Sequence, residues 1–237
     1  MINIVTIFRF GNIEELRSTV KSILLQSESE FTVWFILSNA EHEDIQTLKK
    51  LIGSQFSFKL VINEDTSLYN AMNIALEEIT NGWLFFLNGG DKFYCDDSLR
   101  YLNRFKSDVH PVIFSTIQQY GGDRYLRLPD PKAPAHQGFL VKRELVADAK
   151  FQESLPVSAD HNWMISLIDD HQHSCQKPII AQFALGGLSN NPSFHTVWVR
   201  FQSQGTRRGL VELVKFLLRV SLGSALYYRI LLRKSRL

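Results

Sequence analysis

Between Ile2 and Leu87 the chain alternates four short apolar runs with three stretches of helical periodicity, and this rhythm constrains the fold more than any other feature. The apolar runs are residues 2–8, 31–37, 58–62 and 84–87; the stretches between them are residues 13–26, 43–52 and about 69–79. In the first stretch Ile13, Leu16, Val20, Ile23 and Leu24 recur at helical spacing. Residues 84–87 hold no polar side chain, as expected of a strand covered on both faces, and such strands belong to parallel sheets. The alternation predicts βαβ units and an α/β fold with a mostly parallel sheet flanked by helices. Ligands of such sheets gather beyond the carboxyl ends of the strands. The residues that end the runs are therefore the first site candidates: Ser38-Asn39, Asn63-Glu64-Asp65 and Asn88-Gly89-Gly90-Asp91.

Beyond Asp91 the rhythm changes. Residues 98–105 read as a helix, 112–120 as a strand, and Gly121-Gly122-Asp123 as a turn. The Pro-rich segment 129–134 is extended or turn-like and crosses a surface near the site. Residues 136–141 read as a strand, 159–168 as a helix with Asp160 in its first turn, and 179–184 as a strand before Gly186-Gly187.

A chain of 237 residues, 45% hydrophobic, can build one large core, or one domain with a C-terminal appendage. The net charge of +2 gives no global field for nucleic acid. Cys95 and Cys175 form neither a disulfide framework nor a metal-ligand spacing, which fits a reducing compartment. The first seven residues read as a strand, with no basic segment or cleavage site of a signal peptide, so the expected location is cytoplasmic.

From Arg207 onward the balance is basic: Arg207, Arg208, Lys215, Arg219, Arg229, Arg233, Lys234 and Arg236 face a single acid, Glu212. Leucines, valines and aromatics fill the spaces between them. Lys215, Arg219 and Arg229 interrupt any membrane span, whereas a cationic amphipathic helix suits the surface of an anionic leaflet. A helix covering the sheet or a dimer face is the other reading. The expected division is residues 1–195 as one domain and 196–237 as a basic amphipathic helical extension.

Three segments, Asp65-Thr66-Ser67-Leu68-Tyr69-Asn70-Ala71-Met72-Asn73, Phe86-Leu87-Asn88-Gly89-Gly90-Asp91, and Ala159-Asp160 with Leu185-Gly186-Gly187-Leu188-Ser189 downstream, resemble in order and spacing the motifs of a bacterial family-2 glycosyltransferase. The resemblance covers roughly residues 1 to 190. It implies a GT-A fold, Rossmann-like in its sheet, and transfer of a sugar, with inversion, from a nucleotide-diphosphate sugar to a glycan or lipid-linked acceptor in surface polysaccharide synthesis. It also implies a divalent metal, Mg²⁺ or Mn²⁺, and a place on the inner face of the cytoplasmic membrane.

By the same resemblance Asp91 coordinates the metal, with Asn88 and Gly90 beside the ribose and diphosphate; Gly90 stands where many relatives have Asp. Asp160 is the general base that takes the acceptor hydroxyl's proton; a helix N-terminal acid favoured by the macrodipole is the other reading of that position. Asp65 and Asn70 approach the donor's base and sugar. Ser38 and Asn39 end the second strand, where the family holds the base, although Ser38-Asn39-Ala40-Glu41 departs from its usual pattern. Thr6 and Arg9 lie at the first strand and its loop, where Arg9 pairs a phosphate and Phe8 or Phe10 either stacks on a base or joins the core. His136, in the pair His136-Gln137, falls near the acceptor or diphosphate as a neutral donor, or is a structural histidine. His195 is a candidate to close over the site. Two other functions share parts of this pattern: a sugar-phosphate nucleotidyltransferase, which needs a Gly-rich, Arg-bearing loop after the first strand, and a degenerate transferase serving as a membrane-bound partner.

Overall fold

The computed structural model describes residues 1–64, 67–106, 110–155, 157–185, 197–199, 201–202 and 205–232. The first half follows the expected rhythm: β1 (Ile2–Arg9), α1 (Ile13–Leu24), β2 (Phe31–Ser38), α2 (His42–Ile52), β3 (Ser57–Asn63), α3 (Leu68–Glu78) and β4 (Trp83–Phe86). Then come β5 (Lys92–Phe93), α4 (Ser98–Phe105), β6 (Val112–Tyr120), β7 (Asp123–Arg127), a 3₁₀ turn (His136–Gly138), β8 (Phe139–Lys142), a second 3₁₀ turn (Arg143–Val146), α5 (Ala159–Asp170), β9 (Ser174–Ala184) and α6 (Thr206–Leu231).

The sheet runs β3-β2-β1-β4-β8-β6-β9-β5, with β7 paired to β6. Its three longest ladders, β1 with β2, β2 with β3 and β6 with β9, are parallel. The pairings of β8 with β4 and β6 are antiparallel, so the parallel βαβ half is joined to a mixed half.

Two core layers cover the sheet. Phe85 belongs to the layer with Leu16 and Val20 of α1 and Leu48 of α2. Its neighbours Leu84 and Phe86 belong to the opposite layer, with Met72 of α3 and Trp163 of α5. Both faces of β4 are thus dry, which is why its sequence shows no alternation. Phe8 is 5% exposed and packs edge-on against Phe10 with ring centres 5.1 Å apart, so it joins the core while bordering the cleft described below.

The region read as a strand from His136 starts instead as a 3₁₀ turn, and β8 begins at Phe139. The antiparallel pairing of β8 with β4 places the start of β8 beside the end of β4. That is what brings His136 to the residues after Leu87. Residues 65, 66 and 186–196 lie outside the described residues, and with them Asp65, the Gly186-Gly187 stretch and His195.

Candidate active site

A cleft of about 480 Å³ opens beyond the carboxyl ends of β1, β2 and β4. Its wall includes Arg9, Ser38, Asn88, Asp91, His136 and Asp160 among the residues singled out from the sequence. The structure also adds Arg127 and Gln118 to that wall.

The turn after β4 is built to hold its polar residues in place. Leu87 and Gly89 donate their N–H groups to Val5 O and Ile7 O at 2.9 Å each, continuing the ladder past β4. Asp91 N closes a turn on Asn88 O at 2.9 Å. Gly90 has φ of +96°, a backbone that favours glycine. Thr19 of α1, fully buried, donates its hydroxyl to Asp91 O at 2.7 Å and accepts from Gly90 N at 2.9 Å. Helix α1 therefore braces the turn that carries Asp91.

Three ionisable groups converge on the cleft. His136 Nδ1 donates to Asp160 Oδ2 at 3.0 Å, and His136 Nε2 lies 3.7 Å from Asp91 Oδ2, an ionic contact and not a hydrogen bond. Gln137 Nε2 donates to the same Asp91 oxygen at 3.2 Å. Tyr69 OH donates to Asp160 Oδ1 at 3.3 Å. Burial disfavours a charged imidazole, but the hydrogen bond to Asp160 and the charges of both carboxylates outweigh it and lift the pKa of His136 to about 9. His136 is therefore a cation near neutral pH and not the neutral donor expected from the sequence. Asp160 is desolvated too, yet His136, the His161 backbone N–H and Tyr69 hold its pKa below the usual carboxylate range. Burial and the charge of Asp160 push the Tyr69 hydroxyl well above its ordinary pKa, so it stays a donor.

Arg127, at the end of β7, donates to Ala133 O at 2.6 Å and Pro134 O at 3.2 Å. It latches the Pro-rich segment directly ahead of His136. Burial draws its pKa below the ordinary value, against the opposing charges of Asp130 and Asp160.

The other sequence candidates lie off this constellation. Thr6 is fully buried, and its hydroxyl has no partner among the described residues. Asn39 is exposed, in a left-handed conformation with φ of 54°. Asn70 accepts from Asn63 Nδ2 at 3.1 Å and donates to Glu153 Oε2 at 3.2 Å, tying α3 to the segment before α5. Met72 is core, as its position predicts. Tyr69 lies in the Asp65–Asn73 motif, but its contact with Asp160 spans 91 residues and only folding creates it; Arg127 carries no sequence signal of a site role.

The turn after β4 offers a cation one carboxylate, Asp91, and the amide oxygen of Asn88. Both side-chain contacts of Asp91 given above fall on Oδ2, and the neighbouring Asn88 Oδ1 is buried with no partner among the described residues. No group of three His, Cys, Asp or Glu among the described residues is arranged to hold a metal. The donor set fits Mg²⁺ or Mn²⁺ held by one carboxylate together with ligand oxygens and water.

No protein-family model matches the chain, and no curated protein matches it in sequence. Solved structures match it in shape. S. aureus TarS 1–349 in complex with UDP-GlcNAc superposes with a TM-score of 0.68 and 14% identity, over 85% of this chain and 65% of that one. The mannosyltransferase PcManGT from Pyrobaculum calidifontis, in complex with GDP-Man and Mn²⁺, gives 0.63 and 12%, over 90% of this chain and 64% of that one. GalNAc-T7 with UDP, GalNAc and Mn²⁺ gives 0.58 and 12%, over 77% and 43%. This chain thus spans less than two thirds of the length of each. At these identities the likeness establishes the architecture, and the chain has the GT-A fold.

Proposed function

We propose that the chain is an inverting glycosyltransferase that moves a sugar from a nucleoside-diphosphate sugar to a hydroxyl of a glycan or lipid-linked acceptor, in the synthesis of a surface polysaccharide. The observation that carries the reading is the convergence of Asp91, His136 and Asp160 on one cleft at the carboxyl ends of parallel strands. The three solved structures named above hold a nucleotide-sugar, or a nucleotide with a sugar, in the same fold.

In this reading the acceptor oxygen attacks the anomeric carbon as the bond to the diphosphate breaks. The hydroxyl proton passes to Asp160, and the diphosphate leaves with the bonding electrons. Asp160 meets two needs of a base: it is held ionised, and Tyr69 and His136 fix its plane. The cationic His136, with Arg9 and Arg127 on the same wall, offsets charge on the departing diphosphate. A divalent cation bound at Asp91, with Asn88 beside it, would neutralise the diphosphate further. Asn88, Ser38 and the backbone at Gly90 would contact the donor's ribose, base and phosphates. Asp65 and Asn70 would approach the base and sugar, and Asn39 and Thr6 would shape the surrounding loops.

The loop after β1 argues against a nucleotidyltransferase. It is three residues long, holds one glycine, and Asn12 caps α1 by accepting from Glu14 N at 3.3 Å, so it forms no Gly-rich phosphate cradle. The test is Asp160→Asn. Donor binding is retained, while sugar transfer falls by about 10² to 10⁴, the usual worth of a general base. Unchanged transfer removes Asp160 from the mechanism.

A further inference from the structure

We infer that Asn73 is a positioning residue for Asp160: by clamping the main chain of Phe151 to α3, it seats the start of α5 so that the carboxylate faces the cleft. The consequence for sugar transfer rests on the transferase reading; the seating of α5 does not.

Helix α5 does little to fix its own start. Its N-cap, Ser158, makes no side-chain capping bond and has φ of 73°, a left-handed backbone that a serine adopts only where its surroundings impose it. Asp160 lies two residues further on. What holds this turn therefore comes from elsewhere in the fold.

One face of α3 supplies it. Asn70, Asn73 and Glu77 fall at i, i+3 and i+7, and all three bind the segment 150–153 that leads toward α5. The outer two contacts are exposed: Asn70 Nδ2 donates to Glu153 Oε2 at 3.2 Å, and Lys150 Nζ to Glu77 Oε1 at 2.8 Å. Asn73 is different. It is 5% exposed and uses both ends of its amide: Oδ1 accepts from Phe151 N at 2.8 Å, while Nδ2 donates to Phe151 O at 2.9 Å and to Glu153 Oε1 at 2.7 Å. The side chain thus pairs with the Phe151 main chain as a neighbouring strand would, and satisfies both of its backbone polar groups.

Phe151 carries this anchorage to α5. Its ring stacks on Trp163 with centres 4.5 Å apart and planes 25° from parallel, and Trp163 Nε1 donates to Ala149 O at 3.2 Å. Trp163 stands three residues after Asp160, on the same side of α5. Tyr69, one turn before Asn73 on α3, donates to Asp160 and takes the N–H groups of Ser158 and Ala159. A single helix therefore holds Asp160 twice, at its carboxylate through Tyr69 and at its approach through Asn73. Without the Asn73 amide, the buried N–H and carbonyl of Phe151 lose their partners, so the segment shifts and α5 shifts with it.

The test compares Asn73→Ala, Glu153→Ala and Glu77→Gln with wild type by amide hydrogen exchange on the full chain without nucleotide. In Asn73→Ala the exchange of the Asn162 and Trp163 amides, at the start of α5, rises at least about tenfold more than that of β1. Glu153→Ala removes only the exposed partner and gives the same local pattern at about threefold, which decides the matter if Asn73→Ala fails to fold. Glu77→Gln loses an exposed ion pair and matches wild type. With a donor that binds wild type, Asn73→Ala keeps the donor's dissociation constant and lowers kcat by about 10²-fold. Unchanged exchange at α5 overturns the inference. So does an equal rise in β1, which marks a loss of global stability alone, or an effect of Glu77→Gln as large as that of Asn73→Ala. Absence of any donor binding in wild type fails the transferase reading, and the exchange result still decides the seating of α5.

Discussion

His136 Nδ1 and Asp160 Oδ2 meet at 3.0 Å, although 24 residues separate them in the chain. One group sits in the 3₁₀ turn ahead of β8, the other in the first turn of α5, and Tyr69 reaches the same carboxylate from α3. Three elements therefore agree on where the carboxylate points. The pair also couples the two acids of the cleft, because the other ring nitrogen of His136 faces Asp91.

This pairing makes stability pH-dependent in a stated direction. The pKa of His136 is raised from 6.5 to about 9, so the folded state holds its proton longer than the unfolded chain does. Its stabilising contribution is complete below about pH 6.5 and is lost as pH rises through about 9. Asp160, with a lowered pKa, contributes above the ordinary carboxylate pKa and loses that contribution as pH falls through its own. Thermal melts of wild type and His136→Gln in chelator should show a gap of several degrees at pH 6 that narrows by pH 9.5. A gap that does not change with pH contradicts the ion pair.

Tyr69→Phe removes one hydroxyl and leaves the ring stacked on Phe151, where the centres are 6.4 Å apart and the planes 13° from parallel. The lost bond to a charged, buried acceptor costs about 1–2 kcal/mol of stability. Sugar transfer should fall about tenfold in kcat, with the donor's dissociation constant unchanged. An unaltered kcat would mean that Tyr69 only packs.

Gly138→Ala tests how tightly the histidine turn is seated. An added Cβ would lie 2.7 Å from Phe114 O and 2.9 Å from Thr116 Cγ2, so β6 and the turn must part. The expected loss is about 1–3 kcal/mol, read from the urea midpoint, with a weaker pH dependence because His136 moves with the turn. A neutral substitution would show that the turn is looser than described.

The parallel half of the fold was legible because its forces are local in sequence: apolar runs of strand length, helical spacing between them, and polar residues at the run ends. The resemblance singled out Asp91, His136 and Asp160 one by one, and the fold lines one cleft with all three. Their meeting was not legible, because it depends on β8 running antiparallel to β4. Thr19 and Arg127 gave no signal, since a buried helix threonine and a strand arginine look ordinary until the turn after β4 and the Pro-rich segment fold against them. The C-terminal segment was readable as amphipathic and basic.

The most direct measurement is a thermal-shift or calorimetric panel of nucleoside-diphosphate sugars, with and without Mn²⁺, on wild type and Asp91→Asn. At least one donor is expected to stabilise the wild type, Mn²⁺ to strengthen this, and Asp91→Asn to abolish the metal-dependent part while keeping the fold. No stabilisation by any donor, or stabilisation indifferent to both Mn²⁺ and Asp91→Asn, would contradict it.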